Sequence, residues 1–198
     1  MSYTPPRFAR IPQQGGFLGA LPVSIVRPFR GPKDTLDMMV RHALGEHGER
    51  SIAVRRFTEF VTGQVQPKDY LGEILAIRNS LVQYSPIKPG VPLLKYSNDP
   101  THLEFLRTPE RMVLDMMRDG FVVCDCDEVS CLAGTMLLCI GREARFAAMG
   151  FAPGSLSHVA VCGKEPKTGQ WILLDGVAGP REKEAASKAK EILIRNLD

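Results

Sequence analysis

The sequence predicts an α+β fold, with a helical N-terminal half followed by a small antiparallel sheet packed on one central helix. Three observations carry that expectation. Apolar residues recur at helical spacing through most of residues 34–118. A further helical stretch, Asp127 to Ile140, is headed by Cys126. Two runs rich in Val, Ile, Leu and Trp, SHVAVC and QWILLD, then flank the turn-forming segment KEPKTG.

Residues 1–33 differ in kind from the rest. They hold six Pro, four Gly, and Arg7, Arg10, Arg27, Arg30 and Lys33 with no acid, a local charge of +5 against −2 for the remainder. The prolines exclude a continuous helix. One short strand is expected within FLGALPVSIV. The segment is expected to be an extended basic arm that docks on a neighbouring subunit, or else wraps its own core. Five scattered charges do not form the dense patch that nucleic acid requires.

Residues 34–198 are expected to form a single domain, with a helical leader over 34–119, a core over 120–180 and a C-terminal helix over 181–196. In the leader, Asp34 caps a helix to about Glu46, with Leu36, Met39, Val40 and Ala43 on one face. Ser51 caps a second helix to Thr62, and a third spans Lys68 to about Gln83. Pro86, Pro89 and Pro92 then force a loop. Thr108 followed by Pro109 is an N-cap with proline in the first turn, opening a helix to about Arg118. In the tail, Ala185, Ala189, Ile192 and Leu193 give a narrow apolar stripe, and Glu184–Lys188 and Glu191–Arg195 have helix-pair spacing.

In the core, Val129, Leu132, Ala133, Met136, Leu137 and Ile140 follow helical spacing, Asp125 or Asp127 can cap the start, and Gly141 is a natural stop. Cys126 therefore sits at or just before the first turn, where free N–H groups and the helix dipole favour a thiolate. Asp125, Asp127 and Glu128 oppose it. A protonated His158 nearby would restore the balance. Folding the two strand runs symmetrically about the centre of residues 164–169 sets Lys164 against Gly169 and His158 against Asp175. Directly opposed residues have Cβ atoms about 4.5–5.5 Å apart on one face. A thiol, an imidazole base and an orienting carboxylate are the parts of a thiol acyl-transfer site.

The residues Cys124-Asp125-Cys126-Asp127-Glu128, His158-Val159 and Trp171-Ile172-Leu173-Leu174-Asp175 resemble the core pattern of the transglutaminase-like superfamily, relatives of the papain-type thiol proteases. The resemblance implies the cysteine-proteinase core fold, with Cys126 as nucleophile, His158 as base and Asp175 as orienter. Cys124 stands where the family often carries Gly, and Gly176-Val177 replace its usual Pro and small polar residue after the Asp. The leader, through Tyr96, Asp99-Pro100, Glu104 and Thr108-Pro109, is similar to transglutaminase-like proteins of tailed-bacteriophage and prophage genomes.

Two function classes follow. One is a cysteine peptidase, amidase or cross-linking acyltransferase acting on a protein substrate. The other is a structural component of a tailed-phage virion at a head–tail junction, an oligomeric assembly whose arm docks on the next subunit. Five cysteines without a secretory leader point to reduced thiols in a bacterial cytoplasm or an assembled virion. No window approaches the apolar length of a membrane span. Cys-x-Cys is tighter than the usual zinc spacing, so no metal and no cofactor is expected. Cys131, Cys139 and Cys162 are expected to be small buried hydrophobes, and His42, His47 and His102 surface residues.

Overall fold

The computed structural model describes residues 23–26, 31–85, 88–98, 104–177 and 182–197. In chain order the elements are β1 (Val23–Val26), α1 (Pro32–Leu44), α2 (Ile52–Thr62), α3 (Tyr70–Ser80), β2 (Leu94–Tyr96), β3 (Glu104–Arg107), α4 (Pro109–Asp119), β4 (Val122–Cys124), α5 (Cys126–Cys139), β5 (Ala144–Ala152), β6 (Ser155–Lys164), β7 (Trp171–Leu174), α6 (Glu182–Ser187) and β8 (Glu191–Asn196). The fold is α+β. Four helices precede a four-stranded antiparallel sheet of order β7-β6-β5-β8, and α5 lies between the two groups.

Local chemistry sets the leader helices. Ser51 Oγ accepts the Val54 N–H to cap α2, and Thr108 Oγ1 accepts the Arg111 N–H to cap α4, with Pro109 in its first turn. At the far end of α4, Gly120 takes the left-handed conformation, φ 76°, and returns its N–H to the Met116 carbonyl. α1 corrects one expectation. It starts at Pro32 rather than after an Asp34 cap, with Gly31 at the N-cap and no side-chain cap at all. Pro32 supplies the helical φ in advance, and Asp34 sits inside the first turn. α3 is shorter than its periodicity, beginning after an Asp69 cap and breaking into turns beyond Ser80.

The core is continuous from these helices to the sheet. Leu36, Met39, Ile74, Ile77, Leu132, Met136, Phe146 and Leu174 are all sealed from solvent within it. α5 is more enclosed than its stripe implied, since every residue from Asp127 to Leu137 is buried. The helices cover one side of it and the sheet covers the other. Gly163 of β6 has no room for a Cβ, which would lie 2.8 Å from Leu137, and Gly134 faces the Phe146 ring in the same way. These glycines let the sheet approach α5 closely.

The tail corrects the expected helix over 181–196. Only Glu182–Ser187 is helical, and Glu191–Asn196 is a strand paired antiparallel with β5. Glu184 and Lys188 form their expected pair at 2.6 Å. Arg195 instead reaches Asp37 of α1 at 2.9 Å. The reason is tertiary: the other edge of β5 offers a full row of ladder partners from Arg145 to Gly150, and β-branched Ile192 and Ile194 suit a strand. β5 itself carries no alternation to betray it, because most of it is buried on both faces.

Of the expected arm, Val23–Val26 is a strand, and it pairs antiparallel with β3 of its own chain. Residues 1–22 and 27–30, and with them any docking on a neighbour, lie outside the described residues. Among the described residues, no helix is long and apolar enough to cross a membrane.

Candidate active site

Cys126 sits at the tip of a strand–helix corner. β4 runs parallel to β2, with Cys124 beside Tyr96, and ends at Cys124, just before Asp125. The Asp125 carboxylate accepts the Glu128 N–H at 3.3 Å and caps α5, so Cys126 is its first residue. Cys126 is half-buried, whereas Cys124 and Cys131 are buried. Burial pushes the Cys124 thiol up to about 12 and the Cys131 thiol well above its ordinary range, so neither is poised to react. The Cys131 Sγ lies 3.5 Å from the Met39 carbonyl. Among the described residues, no group of three or more His, Cys, Asp or Glu side chains could hold a metal ion.

His158 and Asp175 come together, though not in the expected register. The β6–β7 ladder pairs Lys164 with Trp171 and Val161 with Leu174, two residues away from a hairpin centred on residues 164–169. The loop is really residues 165–170. Glu165 closes it, its carboxylate accepting N–H groups from Lys167 and Thr168 while its own N–H reaches the Gln170 carbonyl. Continued one step, this register sets Asp175 opposite Ala160, diagonal to His158. A two-residue shift preserves the face of the sheet, whereas a one-residue shift would reverse it. The contact therefore survives: His158 Nε2 donates to Asp175 Oδ2 at 2.7 Å.

Asp175 is fixed on its other side as well. Its Oδ1 accepts the Val177 N–H at 2.9 Å, and its side chain is 1% exposed. Gly176 makes that turn feasible, because a Cβ there would fall 2.3 Å from Val129 of α5. On the helix side, Ser130 Oγ donates to the Val159 carbonyl at 3.0 Å, tying the second turn of α5 to the residue after His158. Phe151 packs beside the His158 ring with 6.5 Å between centroids.

The imidazole is hydrogen-bonded to Asp175 and adjoins the Cys126 thiol. Burial alone would pull its pKa down, but the interactions with Asp175 and Cys126 outweigh it and raise it from 6.5 to about 10. His158 therefore carries its proton at neutral pH. With Nε2 engaged by Asp175, Nδ1 is the nitrogen left to face the sulfur.

Cys126 and His158 open onto a cleft of about 240 Å³, walled by Pro32 and Thr35 of α1, Tyr96 and Asn98 at the end of β2, and Leu156. The Tyr96 hydroxyl donates to Asn98 Oδ1 at 2.7 Å. Burial, then the charges of Cys126, Asp125, Asp127 and Asp175, raises the Tyr96 pKa to about 12, so the phenol stays a donor. Sequence spacing gave Tyr96 no site role, because the three-residue parallel pairing that delivers it leaves no periodic trace. The Arg107–Glu128 ion pair behind the nucleophile was missed too: Glu128 has the spacing of a solvated first-turn charge, yet it is buried.

The remaining candidates lie elsewhere. Cys162 is buried and Cys139 half-buried. His47 Nδ1 meets Glu110 Oε2 at 2.6 Å, joining the α1–α2 loop to the start of α4, and burial lowers the pKa of His42. His47 is at the surface as expected, its side chain 39% exposed, though paired, whereas His42 is half-buried. His102 lies outside the described residues.

No protein-family model matches the chain, and no curated protein matches it. Among solved structures, the chain is similar to a "putative protease" from Parabacteroides distasonis ATCC 8503, with a TM-score of 0.52 and 16% identity. The likeness covers 82% of this chain and 28% of the other, so this chain spans little more than a quarter of that protein. At that identity the likeness concerns the fold.

Proposed function

We propose that the protein is a thiol acyl-transfer enzyme of the transglutaminase-like superfamily that cleaves an amide bond in a protein substrate. The observation that supports this reading best is the position of His158, hydrogen-bonded to buried Asp175 and sharing one cleft with Cys126. The structural likeness to a protein described as a protease agrees with it.

In this reading the Cys126 sulfur attacks the amide carbonyl and a C–S bond forms. The Cys126 N–H, at the open end of α5 and outside the intrahelical ladder, donates to the developing oxyanion. His158 passes its proton to the leaving nitrogen as the C–N bond breaks, and Asp175 stabilises the imidazolium and fixes the ring. Acylation then changes the base. It removes the hydrogen bond and the charge of Cys126, two of the causes that hold the His158 pKa up. The ring becomes free to take a proton from water, which attacks the thioester and expels the sulfur. An amine in place of water would yield a cross-linked product.

Iodoacetamide at neutral pH tests the reading. Cys126 is expected to be alkylated well before Cys124, Cys131, Cys139 and Cys162, as followed by peptide mass spectrometry. His158→Ala is expected to abolish the difference. Equal labelling of all five thiols in the unaltered protein would overturn the proposal.

A further inference from the structure

A buried ion pair lies directly behind the nucleophile. Glu128 is the third residue of α5 and its side chain is 3% exposed. In a capping box a glutamate there turns back to the N-cap backbone. Here it turns away, to Arg107 at the end of β3. Arg107 Nε donates to Oε1 at 2.7 Å, Nη2 donates to Oε2 at 2.7 Å, and the Arg107 backbone N–H adds a third bond to Oε1 at 3.0 Å. The same Nη2 also donates to the Val123 carbonyl of β4. One guanidinium thus holds both arms of the corner whose tip is Cys126.

The charges around that tip explain why the clamp matters. Asp125, Asp127 and Glu128 flank Cys126 along the chain, Tyr96 faces it from β2, and His158 and Asp175 lie on the sheet side. Glu128 and Arg107 also act on the buried Cys124 thiol at the end of β4, in opposite directions. Asp175 is answered by His158. Asp125 and Asp127 both accept the Glu128 N–H at the positive end of the helix. Glu128 takes its cation from another element, Arg107 at the end of β3. An uncompensated buried carboxylate two residues from a thiol would oppose its ionisation.

We propose that Arg107 is a positioning residue for Cys126, fixing the β4–α5 corner and cancelling the charge of Glu128 so that the thiol ionises readily. The inference rests on the reading of Cys126 as the nucleophile. It adds a role for β3, which also carries the pairing with β1. β1 is thereby connected to the nucleophile through β3, the Arg107 guanidinium and the first turn of α5.

Charge-specific variants separate this role from a purely structural one. The readout is the ultraviolet titration of the Cys126 thiolate, taken as the difference from Cys126→Ser, alongside the pH profile of alkylation at Cys126. Arg107→Met leaves Glu128 uncompensated, so the midpoint is expected to rise, with alkylation below the midpoint falling about tenfold per unit. Glu128→Gln leaves Arg107 in excess, so the midpoint is expected to fall. The double variant is expected to return close to the unaltered protein, and Arg107→Lys to lie between it and Arg107→Met. Shifts in the same direction, or none in folded Arg107→Met and Glu128→Gln, would overturn the proposal. Should Arg107→Met not fold, Glu128→Gln decides alone, and an unmoved midpoint overturns it. A Cys126 that titrates oppositely in the two variants, yet reacts no faster than Cys139, would uphold the positioning role and refute the nucleophile.

Discussion

His158 and Asp175 lie 17 residues apart in the chain and 2.7 Å apart in space, joined on a diagonal of the β6–β7 ladder. The carboxylate is held from both sides, by the imidazole through Oδ2 and by the Val177 N–H through Oδ1. An orienting group with no freedom of its own keeps the ring between itself and the sulfur.

That contact makes stability depend on pH in a defined window. The folded-state pKa of His158 is raised from 6.5 to about 10, so its contribution is fully present below pH 6.5 and is lost as the pH rises through about 10. Urea midpoints are expected to fall across that interval. Asp175→Asn, which removes the negative partner, is expected to flatten the decline and slow Cys126 alkylation at neutral pH at least about tenfold. An unchanged slope in the variant would show that the pair carries no such linkage.

Gly176 is expected to be the least substitutable glycine near the site. Its missing Cβ would stand 2.3 Å from Val129, itself 3% exposed, so Gly176→Ala must push the Asp175 turn off α5. The expected cost is about 1–3 kcal/mol in denaturant titration. Combining it with Val129→Ala is expected to cost less than the two changes summed, since the second makes room for the first.

Ser130 links the nucleophile helix to the histidine strand by a single side-chain bond to the Val159 carbonyl. Ser130→Ala is expected to destabilise the protein by about 1 kcal/mol. It is also expected to slow Cys126 alkylation more than Thr135→Val, which removes a bond internal to α5 from Thr135 Oγ1 to the Cys131 carbonyl. Equal effects on alkylation would deny Ser130 any part in registering the helix against the strand.

The C-terminal strand can be probed by contrasting one of its exposed residues with Leu197, which directly follows it and packs inward. Leu197 is 5% exposed and lies against Gly134 of α5, whereas Ile194 is 42% exposed. Leu197→Ala is expected to cost at least about 2 kcal/mol and Ile194→Ala well under half of that. A helical tail would not produce this pattern, so comparable losses at both positions would argue against β8.

Features governed by local interactions were legible in the chain alone. Ser51, Thr108 and Asp125 cap helices within three residues of themselves, and periodic Leu36, Met39, Leu132 and Met136 mark buried faces. The parity of the hairpin was legible as well, so His158 and Asp175 could be set on one face even though the loop was centred one residue too early. The tertiary structure decided the rest. The true register depends on how Glu165 closes its loop, and the tail became a strand because the edge of β5 offered hydrogen bonds that no local propensity encodes. Tyr96 and Arg107 reached the site by pairings with residues 28 and 21 positions further along the chain, Cys124 and Glu128. Such contacts are settled by which surfaces meet when the core closes, and no short stretch of sequence records them.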